Sequence, residues 1–164
     1  MITKNPHKRV NPRRALVFTA MFRLLIFAAL VGVTFGCSCA PANPTDKQRF
    51  CGSDFVGHFK VLNRTSQPAE LWLLYTVEVI DVFKSVNGHP KKGEVVEMKT
   101  RSNPDMCGVD GLEVGSEHAL NGSGSSNSLN LSNCLIFRPS LWSQVTDGVK
   151  ETLKNGGFEP CAKI

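Results

Sequence analysis

No acidic residue occurs before Asp46 in the 164-residue chain, and no apolar run reaches the roughly 20 residues that a membrane-spanning helix needs. Aromatics are few, with ten Phe, two Trp and one Tyr. H-E-x-x-H, G-x-S-x-G, a Walker A loop and a dinucleotide fingerprint are all missing. These absences point away from an enzyme. Beyond His7, the histidines His58, His89 and His118 fall on separate predicted elements, so they make a poor metal set. A basic groove interleaved with aromatics is also lacking, which argues against a nucleic-acid partner.

The net charge of +5, from 19 basic and 14 acidic residues, is unevenly placed. Lys4, Lys8, Arg9, Arg13, Arg14 and Arg23 precede or open the apolar run 24–35, with no acid to offset them. That pattern predicts a secretory signal peptide over 1–36, with small Gly36 at the cut and Thr34 two positions before it. A signal anchor would need a longer run. A bacterial lipoprotein signal prefers Leu where Thr34 stands. Six of the 19 basic residues leave with the leader, so the remaining 13 face 14 acids and the charge becomes −1. The predicted product is secreted, extends over 37–164, and is not inserted in a membrane once the signal is removed.

Cys37, Cys39, Cys51, Cys107, Cys134 and Cys161 all lie after the leader. In an oxidising compartment they predict three disulfides, among 15 possible pairings. Cys37 and Cys39 are too close to pair comfortably, so each is expected to reach a distant partner. A metal site at Cys37-Ser38-Cys39 would need a second pair of ligands at matching spacing, and none is present.

Val, Leu, Phe and Tyr concentrate at 55–63, 71–84 and 94–101, separated by turn signals, which predicts three strands. Phe55, Gly57, Phe59 and Val61 alternate with Val56, His58 and Lys60, as a half-buried strand requires, and Gly57 marks a bend or bulge. His58 on the outer face and His89 in a turn are expected to be solvated or hydrogen-bonded. Weaker strands at 118–121 and 129–137 flank a Gly/Ser/Asn-rich stretch, 122–128, that reads as a mobile loop. Pro139 and Ser140 open a predicted helix whose apolar face, Leu141, Val145, Val149 and Leu153, packs on the sheet until Gly156 and Gly157 stop it. Trp142 reads as core packing in preference to a ligand platform. Short strands followed by one amphipathic helix suggest a mainly β fold, a five-stranded barrel of the oligonucleotide/oligosaccharide-binding type. Asn63, Asn121 and Asn130 each begin an N-glycosylation sequon.

The order CSCAP at 37–41, FCGSDFV at 50–56, DMCG at 105–108, NCLIF at 133–137 and GGFEPC at 156–161 resembles the inhibitory N-terminal domain of the tissue inhibitors of metalloproteinases. The resemblance implies a netrin-like module: an OB-like Greek-key barrel with flanking helices. It implies the pairs Cys37 with Cys107, Cys39 with Cys134, and Cys51 with Cys161. It also implies a monomeric, extracellular inhibitor of zinc metalloendopeptidases of the matrix metalloproteinase type, secreted or membrane-bound, with no cofactor of its own. In that scheme the α-amino and carbonyl groups of Cys37 chelate the partner's zinc. Ser38, Cys39, Ala40 and Pro41 enter the protease cleft, Ser38 into its main specificity pocket, and Asp105 and Met106 touch the cleft's unprimed side.

Three features depart from the family pattern. Cys39 and Cys51 are separated by 11 residues, two more than is usual, and Asn43 stands where the family has His. The sequence runs three residues past Cys161, so the second six-cysteine domain of vertebrate members is not expected. Two rival readings stand beside inhibition: a netrin-like module that binds matrix or a cell-surface receptor, and a secreted signalling or immunomodulatory ligand.

Overall fold

The computed structural model describes residues 36–125, 128–156 and 158–161. Apart from Gly36, the predicted signal peptide lies outside these residues. Among them, no helix is long and apolar enough to cross a membrane.

Five strands close a barrel in the order β1-β2-β3-β5-β4: β1 (Phe55–Gln67), β2 (Trp72–Ser85), β3 (Val95–Arg101), β4 (Glu117–Ser125) and β5 (Ser128–Leu131). The β3–β5 pairing is parallel, and the other four are antiparallel. Period-two alternation sends Leu73, Tyr75, Val77 and Val79 of β2 inward to meet Phe59 and Leu120, all at most 1% exposed. Closure requires β1 to bend, and its register to β2 shifts at three places, one of them Val56/Gly57. A Cβ at Gly57 would sit 2.6 Å from the Asp81 carbonyl oxygen, so the close approach there demands glycine.

The outer face of β1 is less solvated than alternation predicts. Val56 is fully buried and His58 is 8% exposed. A second apolar cluster, containing Phe50, Val56, Ala119, Phe137, Val145 and Leu153, covers that face. Trp142 joins it and stacks on His58 with ring centroids 3.9 Å apart, which is the packing role expected of it. His58 still finds a polar partner, its Nε2 lying 2.9 Å from Glu117.

Of the segment 122–128, expected to be a mobile loop, residues 122–125 instead belong to β4 and Ser128 opens β5, while 126 and 127 lie outside the described residues. Gly124 has φ +129°, and a Cβ there would lie 1.9 Å from the Ser128 carbonyl oxygen. The glycine permits a tight strand pair where composition suggested mobility. β5 then ends at Leu131, not at 137.

The C-terminal helix also starts later than its periodicity suggests. Ala119 N–H donates to the Ser140 carbonyl at 2.7 Å and His118 bridges Leu141, so 140–141 serve as an edge partner of β4. A short 3-10 turn, Trp142–Gln144, follows, and the α-helix proper is Asp147–Lys154. A further helix, α1 (Asp46–Cys51), occupies the lengthened stretch before Cys51. It begins on a capping box in which Gln48 N–H donates to Thr45 Oγ1 and Thr45 N–H donates to Gln48 Oε1. The Asp147–Lys154 helix is α2.

Candidate functional site

Residues 37–41 form an irregular arm in which anchoring and display alternate. Cys37 and Cys39 are half-buried, while Ser38, Ala40 and Pro41 are exposed. Cys37 is joined to Cys107 and Cys39 to Cys134, closing loops of 70 and 95 residues, and Cys51 to Cys161 across 110. In the chain-entropy model, each such crosslink is worth about 4 to 5 kcal/mol. The four sulfurs of the first two bridges lie within 4.8 Å of one another. As disulfides they hold no thiolate for a metal, and their role is to pin the arm at two adjacent points.

Both anchor segments lie in turns, whose backbone bonds satisfy only some of their polar groups, and side chains satisfy others. At the first anchor, Pro104–Met106 make a 3-10 turn capped by Asn103, whose Oδ1 accepts from Asp105 N–H at 2.9 Å. Cys107 follows in the left-handed region. Two residues on, the Val109 N–H donates to Thr100 Oγ1 and its carbonyl accepts from the Tyr75 hydroxyl, both at 3.0 Å. The turn leaves Asp105 exposed and Met106 43% exposed, immediately before the cysteine that ties down Cys37.

At the second anchor, the Leu135 carbonyl accepts from Asn121 Nδ2 at 2.6 Å and Phe137 N–H donates to Asn121 Oδ1 at 3.1 Å. Between them, the Ile136 carbonyl accepts from Arg49 Nη1 at 2.6 Å. Burial and the nearby Arg138 draw the Arg49 guanidinium below its ordinary value, yet an arginine starts high enough to remain a cation at neutral pH. The anchors also meet directly, Asn133 N–H donating to the Cys107 carbonyl at 2.9 Å. A groove of about 490 Å³ lies between the arm, α1 and Leu135, with Ala40 and Pro41 among its walls.

Sequence order alone separates Ser38, Ala40 and Pro41 from Asp105 and Met106, and the Cys37–Cys107 bridge brings the two groups to one edge. The three sequons differ. Asn63 is exposed and Asn130 half-buried, but Asn121 is 0% exposed with its amide fully engaged. The sequon asparagine Asn121 is thus enclosed in the folded chain, unlike Asn63 and Asn130. The histidines beyond His7 do not converge: His58 meets Glu117, His89 meets Glu94 at 3.2 Å, and His118 meets Ser116 and Ser140. Composition gave no hint that Asn121 and Arg49 support the arm. The α1 capping box, by contrast, was available as the Thr45-x-x-Gln48 signature.

A closed five-stranded barrel with two flanking helices, three disulfides and an arm stapled across one edge defines a netrin-like module of the OB type. The family model described as tissue inhibitor of metalloproteinase matches residues 36–162, and the chain belongs to that family. It is similar to metalloproteinase inhibitor 4 of Mus musculus, with 32% identity over 106 residues that cover 60% of this chain and 45% of that protein. It is also similar to metalloproteinase inhibitor 3 of Xenopus laevis, with 33% identity over 81 residues that cover 48% of this chain and 35% of that protein. The matches thus span less than half the length of these curated relatives.

Proposed function

We propose that removal of residues 1–36 releases an extracellular, stoichiometric inhibitor of zinc metalloendopeptidases that acts through Cys37. The observation that carries this reading is the arm itself: five residues pinned by two adjacent disulfides, with exposed Met106 one residue before the cysteine bonded to Cys37. A catalytic zinc holds three protein ligands and keeps one position open for water or substrate. A free α-amino group has an ordinary pKa near 8 and gives up its proton when a metal competes for the lone pair. With the Cys37 carbonyl oxygen it forms a five-membered chelate that displaces the water. The zinc is the target's, and the inhibitor contributes no cofactor.

Ser38 then continues as the residue after a scissile bond would, into the main specificity pocket, where a small hydroxyl side chain admits several proteases. Cys39, Ala40 and Pro41 extend along the cleft, and Asp105 and Met106 meet its unprimed side. Because the bridges order the arm before it docks, binding avoids much of the ordering cost that weakens flexible peptides.

Carbamylation of the mature amine tests the mechanism. Inhibition of a matrix-type metalloproteinase is expected to disappear while the melting temperature holds. Full potency after carbamylation would refute the chelate. Failure of the unmodified protein to inhibit any such protease would favour a netrin-like module for matrix or receptor binding.

A further inference from the structure

The second anchor contains a residue whose chemistry is spent entirely on shape. Asn121 lies on the outer face of β4, paired with Val56, and is 0% exposed. Its Nδ2 donates to Ser53 Oγ at 2.9 Å and to the Leu135 carbonyl at 2.6 Å, and the Arg49 carbonyl lies at 3.5 Å. Its Oδ1 accepts from Phe137 N–H. Ser53 in turn donates to the Arg49 carbonyl at 2.7 Å. One amide therefore joins β4, the end of α1 and the stretch 135–137. That stretch begins one residue after Cys134, the point to which Cys39 is bonded.

We propose that Asn121 is the positioning residue of the inhibitory arm, setting the place of Cys134 and, through the Cys39–Cys134 bridge, the direction in which residues 37–41 are presented. The inference rests on the inhibitory reading above and adds the group that aims the wedge. The reason is geometric. The Cys39 bridge fixes its part of the arm relative to Cys134, and Cys134 sits in a turn beyond the end of β5, outside any strand ladder or helix. The N–H groups of Leu135 and Ile136 close a turn on the Ser132 carbonyl, while the Leu135 carbonyl and Phe137 N–H are held by Asn121 and the Ile136 carbonyl by Arg49. Without the amide, the Leu135 carbonyl and Phe137 N–H lose their partners, and the segment must move to find water. A shift of about 1 Å suffices to spoil a constellation that must meet a metal and a pocket together.

The same placement bears on modification. Asn121 opens the sequon Asn121-Gly122-Ser123, yet the nitrogen that would carry a glycan spends both its hydrogens inside the protein. Glycosylation at Asn121 and closure of this edge exclude each other. Secreted inhibitor must therefore be bare at this sequon.

The test uses the secreted full-length product and four variants. Asn121→Ala is expected to weaken inhibition about 10- to 100-fold, the range typical when a group that orients a metal-binding residue is lost. Hydrogen exchange at the amides of Ser38, Cys39 and Ala40 should accelerate in the same variant. Val79→Ala, a barrel substitution chosen to lower the melting temperature, should change neither readout at temperatures where it remains folded. Ser123→Ala, at an exposed position, removes the sequon and should leave inhibition and mass at Asn121 unchanged. If Asn121→Ala is not secreted, Ser53→Ala removes one of its partners and should show the same effects in smaller measure.

Equal inhibition and equal exchange in the Asn121→Ala and Val79→Ala variants would overturn the positioning role. So would a glycan on Asn121 in the inhibitory fraction. A wild type that inhibits nothing, combined with faster arm exchange in Asn121→Ala, would sink the inhibitory reading and leave the positioning intact.

Discussion

The barrel interior and the arm edge are held by different forces. Inside the barrel, Phe59, Val61, Val77 and Met98 are fully buried apolar residues on paired strands, and stability follows from area and packing. At the edge, residues 37–41, 104–109 and 132–137 own little regular structure and are joined by two disulfides and by the side chains of Asn103, Tyr75, Thr100, Asn121 and Arg49. The interior tolerates loss gradually because its contacts are many and weak. The edge does not, because each of its ties is singular. Stability and the proposed inhibition are therefore expected to be separable in one small chain.

The largest effect should come from cutting a tie. Replacing Cys39 and Cys134 together by Ser opens a 95-residue loop and should cost about 4 to 5 kcal/mol in denaturant unfolding, with inhibition lost even in the fraction that folds. Retained inhibition by that fraction would erase the distinction drawn here. Phe59→Ala comes next, at about 3 to 5 kcal/mol for a large core truncation, because Phe59 is fully buried and packs edge-on to Phe55 at 6.1 Å. Its inhibition constant, measured below the lowered melting temperature, should match the wild type. A parallel loss of potency would mean that the barrel aims the arm directly.

The smallest effect is that of pH. Burial holds the His58 and His118 imidazoles below their ordinary value, so both are favoured neutral in the folded state. Unfolded chains bind these protons first. The stabilisation is therefore complete above about pH 6.5 and declines as pH falls from there through the depressed folded values. Melting temperature should drop between pH 7 and pH 5, and the drop should shrink in a His118→Gln variant. A flat profile would remove both histidines from the account.

Much of the barrel was legible because its signal is local. Tyr75, Val77 and Val79 alternate strictly, and the turn residues between the strands punctuate them. The outer layer was harder to read. His58 sits at an outward position of β1, and nothing within β1 announces that Trp142, 84 residues later, will cover it. The stretch 122–128 misled for a related reason: glycine is as useful for close strand approach as for flexibility, and only the position of the Ser128 carbonyl decides between them.

By itself, the order of residues determined the alternating barrel strands, the even complement of cysteines and the family to which the chain belongs, since periodicity and motif are properties of neighbours along the chain. Tertiary structure decided the rest. It enclosed the sequon residue Asn121 with its amide bonded inside the protein, and it tied the segment carrying Met106 to the one carrying Ser38 through the Cys37–Cys107 bridge. It also left Ala40 and Pro41 open to solvent. Those outcomes depend on which distant backbone groups need partners once the barrel has closed, and that need does not exist until the fold creates it.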